Sequence, residues 1–137
     1  MEVIICGSLS YGGLEKIQDL QNLLIIKGFN IYNHISEENM DYSYIKDFKN
    51  HQDIALKIVT HDIKSIQKTD VVVTVLNGPS YGAAIEMNTA KQSGIPVISL
   101  CENGIPTPFI IYLSDYIVSS RDDLINLLNQ IKESRMN

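Results

Sequence analysis

The 137-residue chain is poor in cysteine, has no excess of positive charge and holds no long apolar run. Cys6 and Cys101 each end a short apolar stretch, without a C-x-x-C pair or a neighbouring histidine cluster. Buried, reduced thiols are expected, rather than a disulfide framework or a zinc site. His34, His51 and His61 are scattered, do not make a metal box, and read as surface residues. The formal net charge of −5 argues against nucleic-acid polymers and acidic membranes as partners. Nothing approaches the roughly 20 apolar residues of a membrane span. The opening M-E-V-I-I-C has neither a basic region nor a cleavage site, so a cytoplasmic location is expected. Neither the P-loop G-x-x-x-x-G-K-[ST] nor the dinucleotide G-x-G-x-x-G occurs. No acids follow the first strand, as a phosphoacceptor domain would need, and no Ser–His–Asp arrangement stands out.

What is present is an alternation of strands and helices. With 45% hydrophobic and 20% charged residues, the composition is that of a globular protein, and residues 1–137 are expected to form one domain. Val71 to Leu76 is β-branched at five of six positions and reads as a strand buried on both faces. Asn77, Gly78 and Pro79 break it; Ser80 caps a helix carrying Ala83, Ala84, Ile85, Met87 and Ala90. Upstream lie a strand at Glu2 to Cys6, a glycine-rich loop at Gly7 to Gly13 and a helix from about Leu14 to Lys27. A strand at Phe29 to Tyr32, a polar loop at His34 to Met40, and a mostly helical Tyr42 to Lys68, broken near Asn50, follow. Downstream come a strand at Ile95 to Leu100, a loop at Glu102 to Pro108 and a helical turn at Phe109 to Leu113. Tyr116 to Val118 is a fifth strand, and Asp122 to about Lys132 a last helix. This α/β order predicts a doubly wound, flavodoxin-like or Rossmann-like parallel sheet, 2-1-3-4-5, with helices on both faces. The loops after strands 1 and 3 then flank the switch point, with Gly7 to Gly13 facing Ser80 to Gly82 across a cleft.

Spacing alone leaves Glu86 two places: a solvated helix carboxylate, or a carboxylate over the strand end, available as nucleophile or base. Ser80 likewise reads either as a plain N-cap or as part of a helix N-terminus that binds an anion such as phosphate.

Four blocks carry a family resemblance. They are C-G-S-L-S-Y-G-G-L-E at Cys6 to Glu15, T-H-D-I-K-S-I-Q-K-T-D-V-V-V-T-V at Thr60 to Val75, G-P-S-Y-G-A-A-I-E-M-N-T-A, and the following G-I-P-V-I-S-L. Together they resemble the nucleoside 2-deoxyribosyltransferase superfamily, nearer to its 2′-deoxynucleoside 5′-phosphate N-hydrolases, over nearly the full chain. The resemblance implies that Glu86 is the catalytic glutamate at the anomeric carbon and that Asp62 is the acid near the leaving base. It implies that Ser80 and Gly82 hold a 5′-phosphate, and that Gly7, Ser8, Gly12 and Gly13 make the first-loop sugar and phosphate contacts. It further implies that Thr107 reaches the phosphate of a neighbouring subunit, hence a homodimer. Two positions depart from the family pattern. Ile4 stands where many members have a tyrosine, and the first loop has no arginine or lysine before Lys16.

The chemistry expected is hydrolysis of the N-glycosidic bond of a ribo- or deoxyribonucleoside 5′-monophosphate, through an oxocarbenium-like sugar and without metal or organic cofactor. The alternatives are base exchange on deoxynucleosides through the same Glu86, and a non-catalytic nucleotide-binding module.

Overall fold

The computed structural model describes residues 1–9, 12–36, 42 and 44–136; Ser10 and Tyr11 of the first loop, residues 37–41, Ser43 and Asn137 lie outside them. The elements are β1 (Glu2–Cys6), α1 (Gly13–Ile26), β2 (Asn30–Ile31), α2 (Gln52–Gln67) and β3 (Val71–Val75). They continue with α3 (Tyr81–Gln92), β4 (Val97–Leu100), α4 (Pro108–Leu113), β5 (Tyr116–Val118) and α5 (Arg121–Met136). The sheet order is β2-β1-β3-β4-β5, parallel throughout, as the alternation predicts.

Alternate residues of each central strand feed two cores, because successive side chains point to opposite faces. Val3, Ile5, Val71 and Val73 pack with Leu20 and Leu24 of α1 and Leu124 and Leu128 of α5. Ile4, Cys6, Val72 and Val97 pack with Ile66 of α2, Ala83, Met87 and Ala90 of α3, and Ile110 and Leu113 of α4. Burial on both faces explains why β3 and β4 are apolar without alternation. Cys6 and Cys101 are buried free thiols, as expected.

Several boundaries differ from the sequence reading. β2 keeps only two paired residues of the expected four. α2 starts at Gln52, not Tyr42. Asp47 accepts a hydrogen bond from the Lys49 N–H (2.9 Å) and the His51 N–H donates to the Phe48 carbonyl (2.9 Å), so this segment closes turns instead. Local side-chain bonds of this kind compete with helix. α5 runs on to Met136. His34 is buried, against the expected surface position. Among the described residues, no helix is long and apolar enough to cross a membrane.

Candidate active site

The carboxyl ends of β1 and β3 are adjacent in the sheet, with Cys6 opposite Thr74. Beyond them lies a cleft of about 330 Å³. Gly7, Ser8, Gly13 and Lys16 line one side, and Val75 to Ser80 the other. Glycine is required where the first loop turns into α1: a Cβ on Gly13 would lie 1.7 Å from the Ser8 carbonyl oxygen. Gly12, just before it, caps α1 in the left-handed region (φ 83°). On the other wall, the Ser80 hydroxyl accepts a hydrogen bond from the Ala83 N–H (3.3 Å), so Ser80 is the N-cap of α3 and also faces the cleft.

Glu86 is not solvated. α3 buries Ala83, Glu86, Met87 and Ala90, a stripe at three- and four-residue spacing, while Ile85 points outward. Glu86 is only 9% exposed. Burial, reinforced by the charge of Asp62, pushes its carboxyl up to about 8, against an opposing hydrogen bond from the Cys6 thiol. Asp62, on α2, is half-buried and is raised to about 6 by burial, partly offset by His61. Burial first, then Glu86 and Asp62, raises the Cys6 thiol. The Tyr42 phenol is raised by burial and by the same three groups, which marks it as a further neighbour.

His34 completes the cluster. One ligand-type atom each from Cys6, His34 and Glu86 lie within 4.8 Å of one another. The turn carrying His34 is tied to α2, where His61 Nε2 donates to the His34 carbonyl at 3.0 Å. Since a carbonyl only accepts, that His61 nitrogen bears the proton.

The structure therefore brings the predicted residues together in two adjoining groups. Glu86 and Asp62 belong to a buried titratable cluster, while Gly7, Ser8, Gly13 and Ser80 line the open cleft. Gly82 lies with the first group, its Cβ position 3.9 Å from Glu86 Oε1. Thr107 is in neither group; it caps α4, its hydroxyl accepting from the Phe109 N–H (3.4 Å). Sequence reading missed Lys16, Cys6, Tyr42 and His34 as site residues. The signal for His34 was topological: in a 2-1-3 order, the loop after β2 lies beside the carboxyl end of β1.

No protein-family model matches the chain, and no curated protein matches it. Solved structures do. A 2-deoxyribosyltransferase from the psychrotolerant bacterium Bacillus psychrosaccharolyticus matches with a TM-score of 0.70 at 15% identity, over 92% of this chain and 91% of that one. A conserved protein from Enterococcus faecalis V583 matches with a TM-score of 0.69 at 21% identity, over 95% and 98%. The CMP N-glycosidase of Clostridium botulinum matches with a TM-score of 0.56 at 18% identity, over 94% and 99%. The likeness is one of fold: the chain shares the α/β fold of these structures, among them a 2-deoxyribosyltransferase and a CMP N-glycosidase.

Proposed function

We propose that this chain hydrolyses the N-glycosidic bond of a nucleoside 5′-monophosphate, releasing the free base and a sugar 5-phosphate. The observation that carries it is the coupling of buried Glu86 to half-buried Asp62, near a cleft that Lys16 lines. As the base leaves with the C1′–N bonding pair, positive charge grows on the sugar, and a carboxylate beside C1′ stabilises it or bonds to it before water takes its place. A second carboxyl delivers the proton that the departing base needs.

The two roles require opposite protonation states. Sequence reasoning gives Asp62 the proton. Burial favours it on Glu86, raised to about 8, over Asp62, raised to about 6. Between those values the pair holds one proton. Its transfer from Glu86 to Asp62 yields the reacting form, and a cationic C1′ beside Glu86 favours that transfer.

The phosphate end is supported by Lys16, a point charge in place of the missing loop arginine, and by the N–H groups at the start of α3. A homodimer belongs to the same reading. Tyr81, Ile85, Phe109 and Tyr112 expose an apolar surface on α3 and α4, next to Thr107. A cytoplasmic location goes with it as well.

The test is chromatographic detection of base release from ribo- and deoxyribonucleoside 5′-monophosphates and their unphosphorylated counterparts, with and without a second free base. Release from monophosphates alone, lost in Glu86→Gln and Glu86→Ala while nucleotide binding survives, is the expected result. Product only with added free base would replace hydrolysis by base exchange. Retained turnover in both Glu86 variants would remove the carboxylate from the chemistry. No product from any substrate would leave a binding module.

A further inference from the structure

Cys6 and His34 set beside Glu86 two donors that glycoside hydrolysis does not call for. Three different elements deliver it: Cys6 ends β1, His34 sits in the turn after β2, and Glu86 lies on α3. Cys6 and His34 are 0% and 5% exposed, and Glu86 9%. Their sulfur, nitrogen and oxygen atoms all lie within 4.8 Å of one another. Around a tetrahedral cation bound through one sulfur and two lighter atoms, ligand atoms stand about 3.3 to 3.7 Å apart. Side-chain rotations that close the gaps by at most about 1.5 Å reach that arrangement. Cys6 is fixed by its strand, so the adjustment falls to His34 on its turn and to the longer Glu86 side chain.

We propose that Cys6, His34 and Glu86 bind a soft divalent cation of the zinc class, and that the bound cation inhibits by occupying the carboxylate that glycosidic cleavage needs. The inhibitory half rests on the function proposed above; the binding half does not. Thiolate and imidazole select this class over magnesium or calcium, which take oxygen ligands. Three protein ligands leave a fourth position for water, as in open zinc sites. The carboxylate of Asp62, close enough to act on Glu86, adds negative charge just outside the ligands. On binding, the Cys6 thiol and the Glu86 carboxyl each release a proton to solvent, and His34 binds through a neutral ring nitrogen. The site needs no motif in the sequence, since its ligands are separated by 28 and 52 residues of chain (6 to 34, 34 to 86).

The test is a titration of the reduced, chelator-treated protein with Co²⁺, followed by displacement with Zn²⁺. The expected result is one equivalent of Co²⁺ giving a thiolate-to-cobalt charge-transfer band, abolished by Zn²⁺. Cys6→Ser removes the band, Cys101→Ser keeps it, and His34→Gln weakens Co²⁺ binding by about tenfold or more. Zn²⁺ blocks base release competitively with nucleotide, and chelator restores it. A wild-type protein without the band, or a band that survives in Cys6→Ser and disappears in Cys101→Ser, overturns the site. A protein that gives the band but releases no base from any nucleotide retains the metal site and fails the glycosidase reading. Base release unaffected by saturating Zn²⁺, with the band present, overturns the inhibition.

Discussion

Glu86→Gln should stabilise the protein, and increasingly so as the pH rises. On folding, the Glu86 carboxyl moves from its ordinary 4.5 to about 8. Between those values the folded chain binds more protons at this position than the unfolded chain, so stability falls as pH rises across the window. At about 1.4 kcal/mol per pKa unit, the full cost is about 5 kcal/mol above pH 8, as an upper figure. Glutamine keeps the shape and does not titrate. Any hydrogen bond it gains or loses adds a constant, and Asp62 completes its own change near pH 6 in both proteins. The difference in unfolding free energy, variant minus wild type, should therefore grow by about 3 kcal/mol from about pH 5 to about pH 8. Urea unfolding at several pH values reads it directly. A difference that stays flat across this range would refute the burial of an ionisable Glu86.

Three other outcomes follow from the same geometry. The profile of kcat/KM against pH should be a bell with apparent values near 6 and 8, belonging to the Glu86–Asp62 pair as a unit; a flat profile over this range would separate the pair from the chemistry. Lys16→Ala should raise KM for monophosphates by about tenfold and fall less heavily on unphosphorylated nucleosides, as paired steady-state assays would reveal. Gly13→Ala sets a methyl group against the Ser8 carbonyl, and should cost about 3 kcal/mol and lower Tm by roughly 10 °C in calorimetry.

The architecture was legible because each core strand is buried on both faces and each helix is punctuated. Val71–Val75, Ser80 and Gly94 need no tertiary information to be placed. The helical start at Tyr42 was misread because the residues that set it are local competitors, Asp47 among them, whose side-chain bonds periodicity does not register. β2 was overestimated for another reason: an edge strand keeps only what its single neighbour pairs. Within the site, spacing alone left Glu86 open between solvent and cleft, and the structure puts it on the buried stripe of Ala83, Met87 and Ala90. Its direct neighbours Ile85 and Met87 point to different sides, which hid this. His34 and Cys6 carry no local signal as partners, and only the sheet order brings their atoms together. The order of proton affinities between Glu86 and Asp62 depends on relative depth, which no local pattern encodes.

β2 meets the sheet over two residues, with one more bond from the Tyr32 N–H to the Val3 carbonyl (2.8 Å). The turn bearing His34 follows this short strand, tied to α2 by the His61 bond and to the core by buried Ile35. A two-residue edge strand and the turn after it open locally more readily than central strands, and exchange their amide hydrogens through those openings. Cys6 and Glu86 belong to elements that come apart only with the core. One wall of the cluster is thus kinetically soft and the other hard. Any occupant that engages both must first quiet the soft wall, and its affinity is lowered by that ordering. Slowed deuterium uptake across residues 32–36, with β3 unchanged, would be its signature.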